Sequence, residues 1–245
     1  MSEIYYQGDH SITIGSKNTW KHWHLVPSSR PVVTMPDVKT KYVEMPGING
    51  VKDMTTSLTG YVMYGVRQGS WEFIVANGYW NWQEAYTTIA EYLHGKNRKV
   101  VLDDDPGHYY EGRLNVNEWK SSKDFSTIVI DYQLNPYKKE TFAGNEDWEW
   151  DPFNFDTGVI REYANLTVKG SLTVTIPDVY QRVSPTINVS SSMSMQHTNP
   201  SDKVTVYQLA KGDNSIPEFV LLAGTNKLKF TGNGKVTIKY RGGRL

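Results

Sequence analysis

Apolar side chains recur at every second position along most of this chain, and this period constrains the fold more than any other feature. Trp71, Phe73 and Val75 alternate with Glu72 and Ile74, and the same pattern returns across residues 172–176. Successive side chains of a strand point to opposite faces, so a period of two predicts half-buried β-strands. Further candidate strands lie at residues 126–134, 185–189, 204–209, 219–222, 227–230 and 235–240. The chain is therefore predicted to be mainly β.

One segment has the period of a helix. Its apolar stripe consists of Trp82, Ala85, Tyr86, Ile89 and Leu93. Asn81 is a candidate N-cap, Glu84 three residues later completes a capping-box-like pair, and Gly95 is a candidate left-handed stop. After the helix we predict a strand at residues 99–102, a tight turn at 105–107 and a strand at 109–116. A lone helix of this kind should pack on a sheet.

The alternation stops between residues 136 and 157, which we predict to be the linker between two domains. Residues 145–156 carry five acidic residues and no Lys or Arg, beside Trp148, Trp150, Phe153 and Phe155. The predicted domains are 1–140 and 141–245, the second having the size of a small β-sandwich. Near its end, residues 231–234 (TGNG) predict a hairpin turn between two strands.

Composition excludes several classes of function. Lys plus Arg and Asp plus Glu both number 26, so there is no net field to hold nucleic acid or an anionic membrane. The chain has no Cys, which excludes disulfides, thiol nucleophiles and Cys-rich zinc sites. Its start lacks a basic region followed by an apolar one, and no apolar run is long enough for a membrane span, so synthesis in a cytoplasm is expected. The 16 Tyr and 8 Trp favour a protein interface or a sugar platform.

Each candidate chemical site has a simpler structural explanation. Asp103, Asp104 and Asp105 are consecutive and cannot all face one ion, so we expect a turn whose carboxylates accept backbone N–H groups or pair with Arg113. His22 and His24 would share one face of a strand, but two ligands do not make a zinc site. Three other candidate sites each lack a required feature. Ser28 and Ser29 lack the nucleophile elbow of a serine hydrolase, and Glu111 has no specific acidic partner for glycoside hydrolysis. Gly242 and Gly243 precede no helix, as a phosphate-binding loop would. We predict no catalytic residue, no cofactor and no metal, and hence no enzyme.

Ordered motifs along the chain closely resemble the distal tail protein (Dit) family of siphophages. The central motifs are LHGK at 93–96, LDDDPGHYYEGR at 102–113 and NPYK at 135–138. Before them come WHLVPSSRP at 23–31, YVEMPG at 42–47, LTGY at 58–61 and GSWEF at 69–73, and KVTIKYRGG at 235–243 closes the series. Their order over much of the chain makes the resemblance specific.

The resemblance implies a fold and a place in a phage. The first domain would be a ring-forming β-sandwich with one α-helix and an extended hairpin, and the second a galectin-like β-sandwich. Six copies would form a ring at the tail tip of a phage that infects Gram-positive bacteria. One ring face would meet the major tail (tube) protein and the other a tail-associated, lysin-type protein, while receptor-binding proteins can attach to the outer domain. DNA would pass through the channel without specific binding, and the protein would reside in the virion. We further hypothesise that residues 42–51 or their neighbours form part of the ring belt, because Pro and Gly break that segment between strands.

The alternative is a carbohydrate-binding module for host-surface attachment. Galectin sites use His-x-Asn-Pro-Arg and a downstream Trp. Here His197, Asn199 and Pro200 match, but Ser201 stands at the Arg position and no Trp follows Trp150. A sugar site would then depend on Trp148 and Trp150 instead.

Overall fold

The computed structural model describes residues 8–75, 82–121, 126–143 and 162–245, and of residues 118–121 and 178 it describes the backbone alone. The chain divides into two compact units, one reaching Lys138 and including Leu245, the other Lys139–Arg244. The linker predicted near 136–157 lies mostly outside the described residues, as do Asn81, Trp148 and Trp150.

The first unit is a long antiparallel sheet with a helix packed on it. In chain order its elements are β1 (Ile12–Ile14), β2 (Lys17–Asn18), α1 (Thr19–Trp23), β3 (Leu25–Pro27), β4 (Tyr42–Glu44), β5 (Val51–Asp53), β6 (Arg67–Val75), α2 (Trp82–Leu93), β7 (Lys96–Leu102), β8 (His108–Ser121) and β9 (Ser126–Leu134). The main sheet runs in the order β2-β1-β7-β8-β9-β6-β3, and β4 pairs with β5 as a separate two-stranded sheet.

The sequence explains how this sheet and helix meet. Trp71, Phe73 and Val75 of β6 are buried, as their alternation predicts. On α2, Ala85, Ile89 and Leu93 are buried, with Trp82 and Tyr86 partly buried against the same core. The helix ends at the predicted stop, where Gly95 has a φ of 72° and its N–H bonds the carbonyl of Leu114. Burial of one face of each element thus places the single long helix on the sheet.

Helix α1 is a feature that the alternation did not predict. Asn18 caps it, because its Oδ1 accepts hydrogen bonds from the N–H groups of Trp20 and Lys21, both at 3.0 Å. The helix ends at His24, whose φ of 52° is left-handed. A five-residue helix shows too little periodicity to be separated from a strand by pattern alone.

The second unit is all β among its described residues. β10 (Lys138–Glu140) crosses the boundary between the two units, and the second unit continues with β11 (Leu166–Val179), β12 (Thr186–Val189), β13 (Met193–Thr198), β14 (Val204–Leu209), β15 (Gly212–Ser215), β16 (Gly224–Lys239) and β17 (Gly243–Arg244). The sheet runs in the order β14-β13-β16-β12-β15, with β11 also pairing β16, and β10 pairs with β17. Its buried core includes Ile187, Phe219, Phe230 and Ile238.

The predicted hairpin at residues 231–234 is wrong. β16 runs through these residues without a break and pairs with β11 along its length. Gly232 and Gly234 both have a φ of 146°, and a Cβ on Gly232 would lie 2.8 Å from the Cβ of Met193, while one on Gly234 would lie 2.5 Å from the Oγ of Ser191. These glycines are therefore needed for the close approach of the 190–193 segment and not for a turn.

The predicted fold class is confirmed: the chain is mainly β, and α2 is the one helix of more than five residues in the described ranges. Most predicted strands lie within observed ones, but residues 219–222 form only an isolated bridge between Val183 and Leu221. Within these ranges, no helix is both long and apolar enough to cross a bilayer.

Gly112 provides a test of the sheet's packing. A Cβ at this position would lie 2.1 Å from the carbonyl O of Gln133 and 2.6 Å from the Cα of Leu134, both backbone atoms of β9. We expect Gly112→Ala to lower the free energy of unfolding by about 2 kcal/mol or more, because β8 and β9 must separate. Urea unfolding measures this difference. Gly65→Ala is the control, since the nearest atom to its Cβ is at 3.5 Å, and an equal loss in both variants would contradict the packing argument.

Candidate assembly surface

Residues 35–66, which we call the arm, are the least buried long segment of the first unit. At its centre, β4 and β5 pair antiparallel, with Tyr42 opposite Asp53 and Glu44 opposite Val51. Every residue of both strands is exposed. A two-stranded ribbon cannot bury its own side chains, so the arm has no core of its own.

The arm nevertheless carries many large apolar side chains. Those exposed to solvent are Met35, Val38, Tyr42, Val43, Met45, Ile48, Val51, Leu58, Tyr61, Met63 and Val66. Leu58 is fully exposed and Met35 is 73% exposed. Single exposed apolar residues are ordinary, but a cluster of this size on one segment marks an interaction surface.

The arm is joined to the sheet through an ordered segment on each side, residues 32–34 and 67–71, which we call the root. The Nε1 of Trp71 donates to the carbonyl of Val32 at 2.9 Å, and the hydroxyl of Tyr132 accepts a hydrogen bond from the N–H of Thr34 at 3.1 Å. The Trp71 and Tyr132 rings stack with centroids 4.3 Å apart. Gly69 makes this possible, because a Cβ there would lie 2.3 Å from the Tyr132 hydroxyl. Two buried aromatic side chains, Trp71 and Tyr132, thus hold the side of the root that contains Val32 and Thr34.

Further out, the two sides of the arm pair with each other. The N–H of Gly65 donates to the carbonyl of Asp37 at 2.7 Å, and that of Lys39 to the carbonyl of Met63 at 2.8 Å. The Tyr64 ring meets Tyr137 edge-on at 5.9 Å. Burial raises the pKa of Tyr137, and the neighbouring Tyr64 adds to the shift. These contacts keep the arm a defined structure up to its exposed strands.

The turn of residues 103–108 is bound from two sides. Asp104 accepts hydrogen bonds from Arg30 at 2.9 Å and pairs with His10 at 2.8 Å. Asp105 pairs with His108 at 2.8 Å and with Lys138 at 2.6 Å. The turn is as predicted, but the expected partner is wrong, since Arg113 donates to the carbonyl of Gly95. The carboxylates serve to pin the turn to distant parts of the first unit.

His22 and His24 do not share the strand face that sequence analysis had expected. His22 lies within α1 and its Nδ1 accepts from the N–H of Asn18 at 3.0 Å, whereas His24 forms the left-handed end of the helix. The shared strand face assumed for them is wrong, because that segment is helical. Among the described residues, no group of three or more His, Asp or Glu side chains could hold a metal ion.

The second unit does not present His197 to a ligand. Its side chain is buried, its Nε2 lies 3.0 Å from the Oδ1 of Asn226, and its ring meets Phe219 edge-on at 5.1 Å. Asn199 is committed to its own turn, accepting from the N–H groups of Ser201 and Lys203. The galectin-type motif is therefore part of the core and of a turn, and the two tryptophans of the alternative lie outside the described residues.

Comparison of the sequence with protein-family models and with curated proteins found no match. Among solved structures, the chain is similar to the crystal structure of the Dit protein (gp 19.1) of SPP1, described as a paradigm of the hub adsorption apparatus in phages that infect Gram-positive bacteria. The TM-score is 0.59, and the match covers 96% of this chain and 99% of that chain. The chain has a Dit-like fold. The identity of 12% means that the similarity describes architecture.

Two glycines of the family-like motifs have clear structural reasons in the Dit-like fold. Gly69 of GSWEF gives way to the Tyr132 hydroxyl, and Gly112 of HYYEGR lies against the β9 backbone. Sequence analysis identified the motifs but missed Thr34 and Tyr132 as the arm's anchors. The available signal was Tyr132, an aromatic residue on the buried side of β9, whose hydroxyl needs a partner.

Asp105 predicts an acid-dependent stability. Burial raises its pKa, but hydrogen bonds from His108 and Lys138 outweigh this and lower it from 3.8 to about 2. A lowered pKa contributes stability above pH 4 that is lost as the pH falls through about 2. We expect Asp105→Asn to be less stable than the parent at pH 6, with the difference shrinking toward pH 2. Urea unfolding across this range measures it.

Asp103→Asn is the matched control, because the Asp103 side chain forms no ion pair with a described residue. A pH dependence that is the same in both variants would show that Asp105 is not responsible.

Proposed function

We propose that this chain is a structural protein of a phage tail tip, a hub that forms a hexameric ring around a channel for DNA. The ring would join the major tail (tube) protein to a tail-associated, lysin-type protein and to the host-adhesion apparatus. The observation that carries this proposal is the exposed apolar arm on a Dit-like fold. The protein would be made in the host cytoplasm and reside in the virion.

The arm suits contact with a second copy of the chain. Its many large apolar residues are exposed to solvent, and burying such area is the main favourable term in association. In a ring, each copy presents one surface and receives another, so a projecting element on one side is a natural head-to-tail contact. This supports the hypothesis that residues 42–51 belong to the ring belt.

Charge is compatible with a DNA conduit. The net charge of zero leaves no overall attraction for phosphate groups, and each Lys or Arg bound to phosphate would slow transit. The proposed role needs DNA to pass without being held. A protein with no excess of basic residues meets that requirement.

The proposal is for a non-enzymatic protein. Four of the acidic and histidine side chains that sequence analysis considered have structural roles: Asp104 and Asp105 pin a turn, His22 completes a capping arrangement and His197 lies in the core. Receptor-binding proteins remain candidate partners of the second unit.

The arm is tested by Tyr42→Ala with Val43→Ala. Both side chains are exposed, so the variant should keep its thermal midpoint while losing the ring. Light scattering gives the solution mass, and negative-stain images of the same peak show whether six copies form an open ring. The matched control is Val204→Ala with Val206→Ala, which removes similarly exposed valines from β14 of the second unit. A ring that survives the arm substitutions as well as the control would overturn the placement of the belt.

A further inference from the structure

Arg67 is a fully buried charged residue at the junction of the arm and the sheet. Only 1% of it is exposed, and it is the first residue of β6, directly after the arm ends. Its position faces the same side of the strand as Trp71, Phe73 and Val75, which form the core. A guanidinium at such a place has been taken out of water, and this burial lowers the pKa of Arg67.

The side chain reaches across the mouth of the arm. Its Nη1 donates to the carbonyl of Thr34 at 2.7 Å, and its Nε donates to the carbonyl of Pro136 at 2.8 Å. Met35, the first residue of the arm, places its Sδ 3.7 Å from the same Nη1. Arg67, the residue after the arm, thus connects to Thr34, the residue before the arm, and to Pro136 in the segment that follows β9.

The guanidinium of Arg67 also contacts an aromatic ring. Its central carbon lies 5.4 Å from the centroid of the Tyr110 ring on β8. The Nη2 group is buried and has no hydrogen-bond partner among the described residues. Arg67 is therefore held by Thr34, Pro136 and Tyr110, and one of its donor groups has no described partner.

An incompletely paired buried charge is a poor way to stabilise a fold. Apolar side chains of similar volume are often neutral or better at such positions. Thr34 is an exposed residue and Pro136 is partly buried, so neither acceptor residue lies in the core. The contacts of Arg67 are better explained by the geometry that they impose than by the energy that they supply.

We infer that Arg67 is the positioning residue that fixes the direction in which the arm leaves the sheet, and so prepares the arm for a second copy. Only the second part of this inference, that the arm binds a second copy, rests on the proposed function. The ends of a loop of roughly thirty residues can adopt many relative orientations. The planar guanidinium of Arg67, bonded to the carbonyl groups of Thr34 and Pro136, removes most of them. Association then proceeds without the loss of that freedom.

The test compares the parent with Arg67→Met, which keeps an unbranched side chain of similar reach and removes the fork. Hydrogen exchange follows the amides of Lys39 and Gly65, whose bonds pair the two sides of the arm. We expect these amides to exchange about tenfold faster or more, the thermal midpoint to change little, and self-association by light scattering to weaken by about tenfold or more. Arg67→Lys, which retains one charged donor group, should recover part of both effects.

The control is Arg98→Met. Arg98 is a half-buried arginine on β7 that lies over the Tyr92 ring at 4.5 Å and donates to the Tyr92 carbonyl at 3.2 Å, so its contacts are with α2 and not with the arm. Faster arm exchange in both variants, or in neither, would overturn the inference. So would a loss of arm protection no larger than the loss at the amide of His94, which bonds the α2 carbonyl of Ala90, because that would indicate general destabilisation.

The exchange measurement also separates this inference from the proposed function. It is made on the protein in whatever assembly state it adopts. If the Tyr42 and Val43 substitutions leave assembly unchanged, the proposed interface fails, while arm exchange still decides whether Arg67 holds the arm. If those substitutions break the ring and Arg67→Met changes neither exchange nor assembly, only the role of Arg67 fails.

Discussion

The conformation of the arm depends on contacts with the sheet, because the arm has no core of its own. Its central strands bury nothing, so their geometry must be supplied through the root, where buried Trp71 and Tyr132 and the guanidinium of Arg67 fix the backbone at Thr34 and its neighbours. The sheet therefore has two roles in the first unit. It buries the core on one side, and it transmits a fixed orientation to a segment with no core at all.

Much of the sheet was predictable, because a period of two reports burial on one face directly. The strand at residues 126–134 was predicted with the bounds that β9 has. The same parity contained the signal for Arg67, since it places residue 67 on the buried side with Trp71 and Phe73. The alternation does not identify the partner of a buried polar group. The carbonyl groups of Thr34 and Pro136 come near Arg67 only in the tertiary fold.

The errors have two physical causes. At residues 231–234, Gly and Asn were interpreted as a turn, whereas Gly232 and Gly234 are there because another segment passes too close for a Cβ. At His22 and His24, a short capped helix replaced the assumed strand. At Arg113, sequence proximity suggested a partner for the aspartates, but Arg30 and Lys138 are the ones that the fold brings near. At residues 231–234 and at Arg113, a long-range contact decided the role of a residue whose local sequence allowed two interpretations. At His22 and His24, the local cap at Asn18 decided it.

The contacts that pin the Asp104 and Asp105 turn also set an order of events during synthesis. His10 and Asp104 are 94 positions apart, Arg30 and Asp104 are 74 apart, and Arg67 is bonded to a carbonyl 69 positions later. The first unit cannot complete either the turn or the arm root until the chain has been made to Pro136 and Lys138. Until then the apolar arm lacks the anchors that Tyr132 and Pro136 supply, and only its contacts with Trp71 and Arg67 can form. The late closure of the root therefore leaves an apolar segment incompletely anchored until most of the first unit has been made.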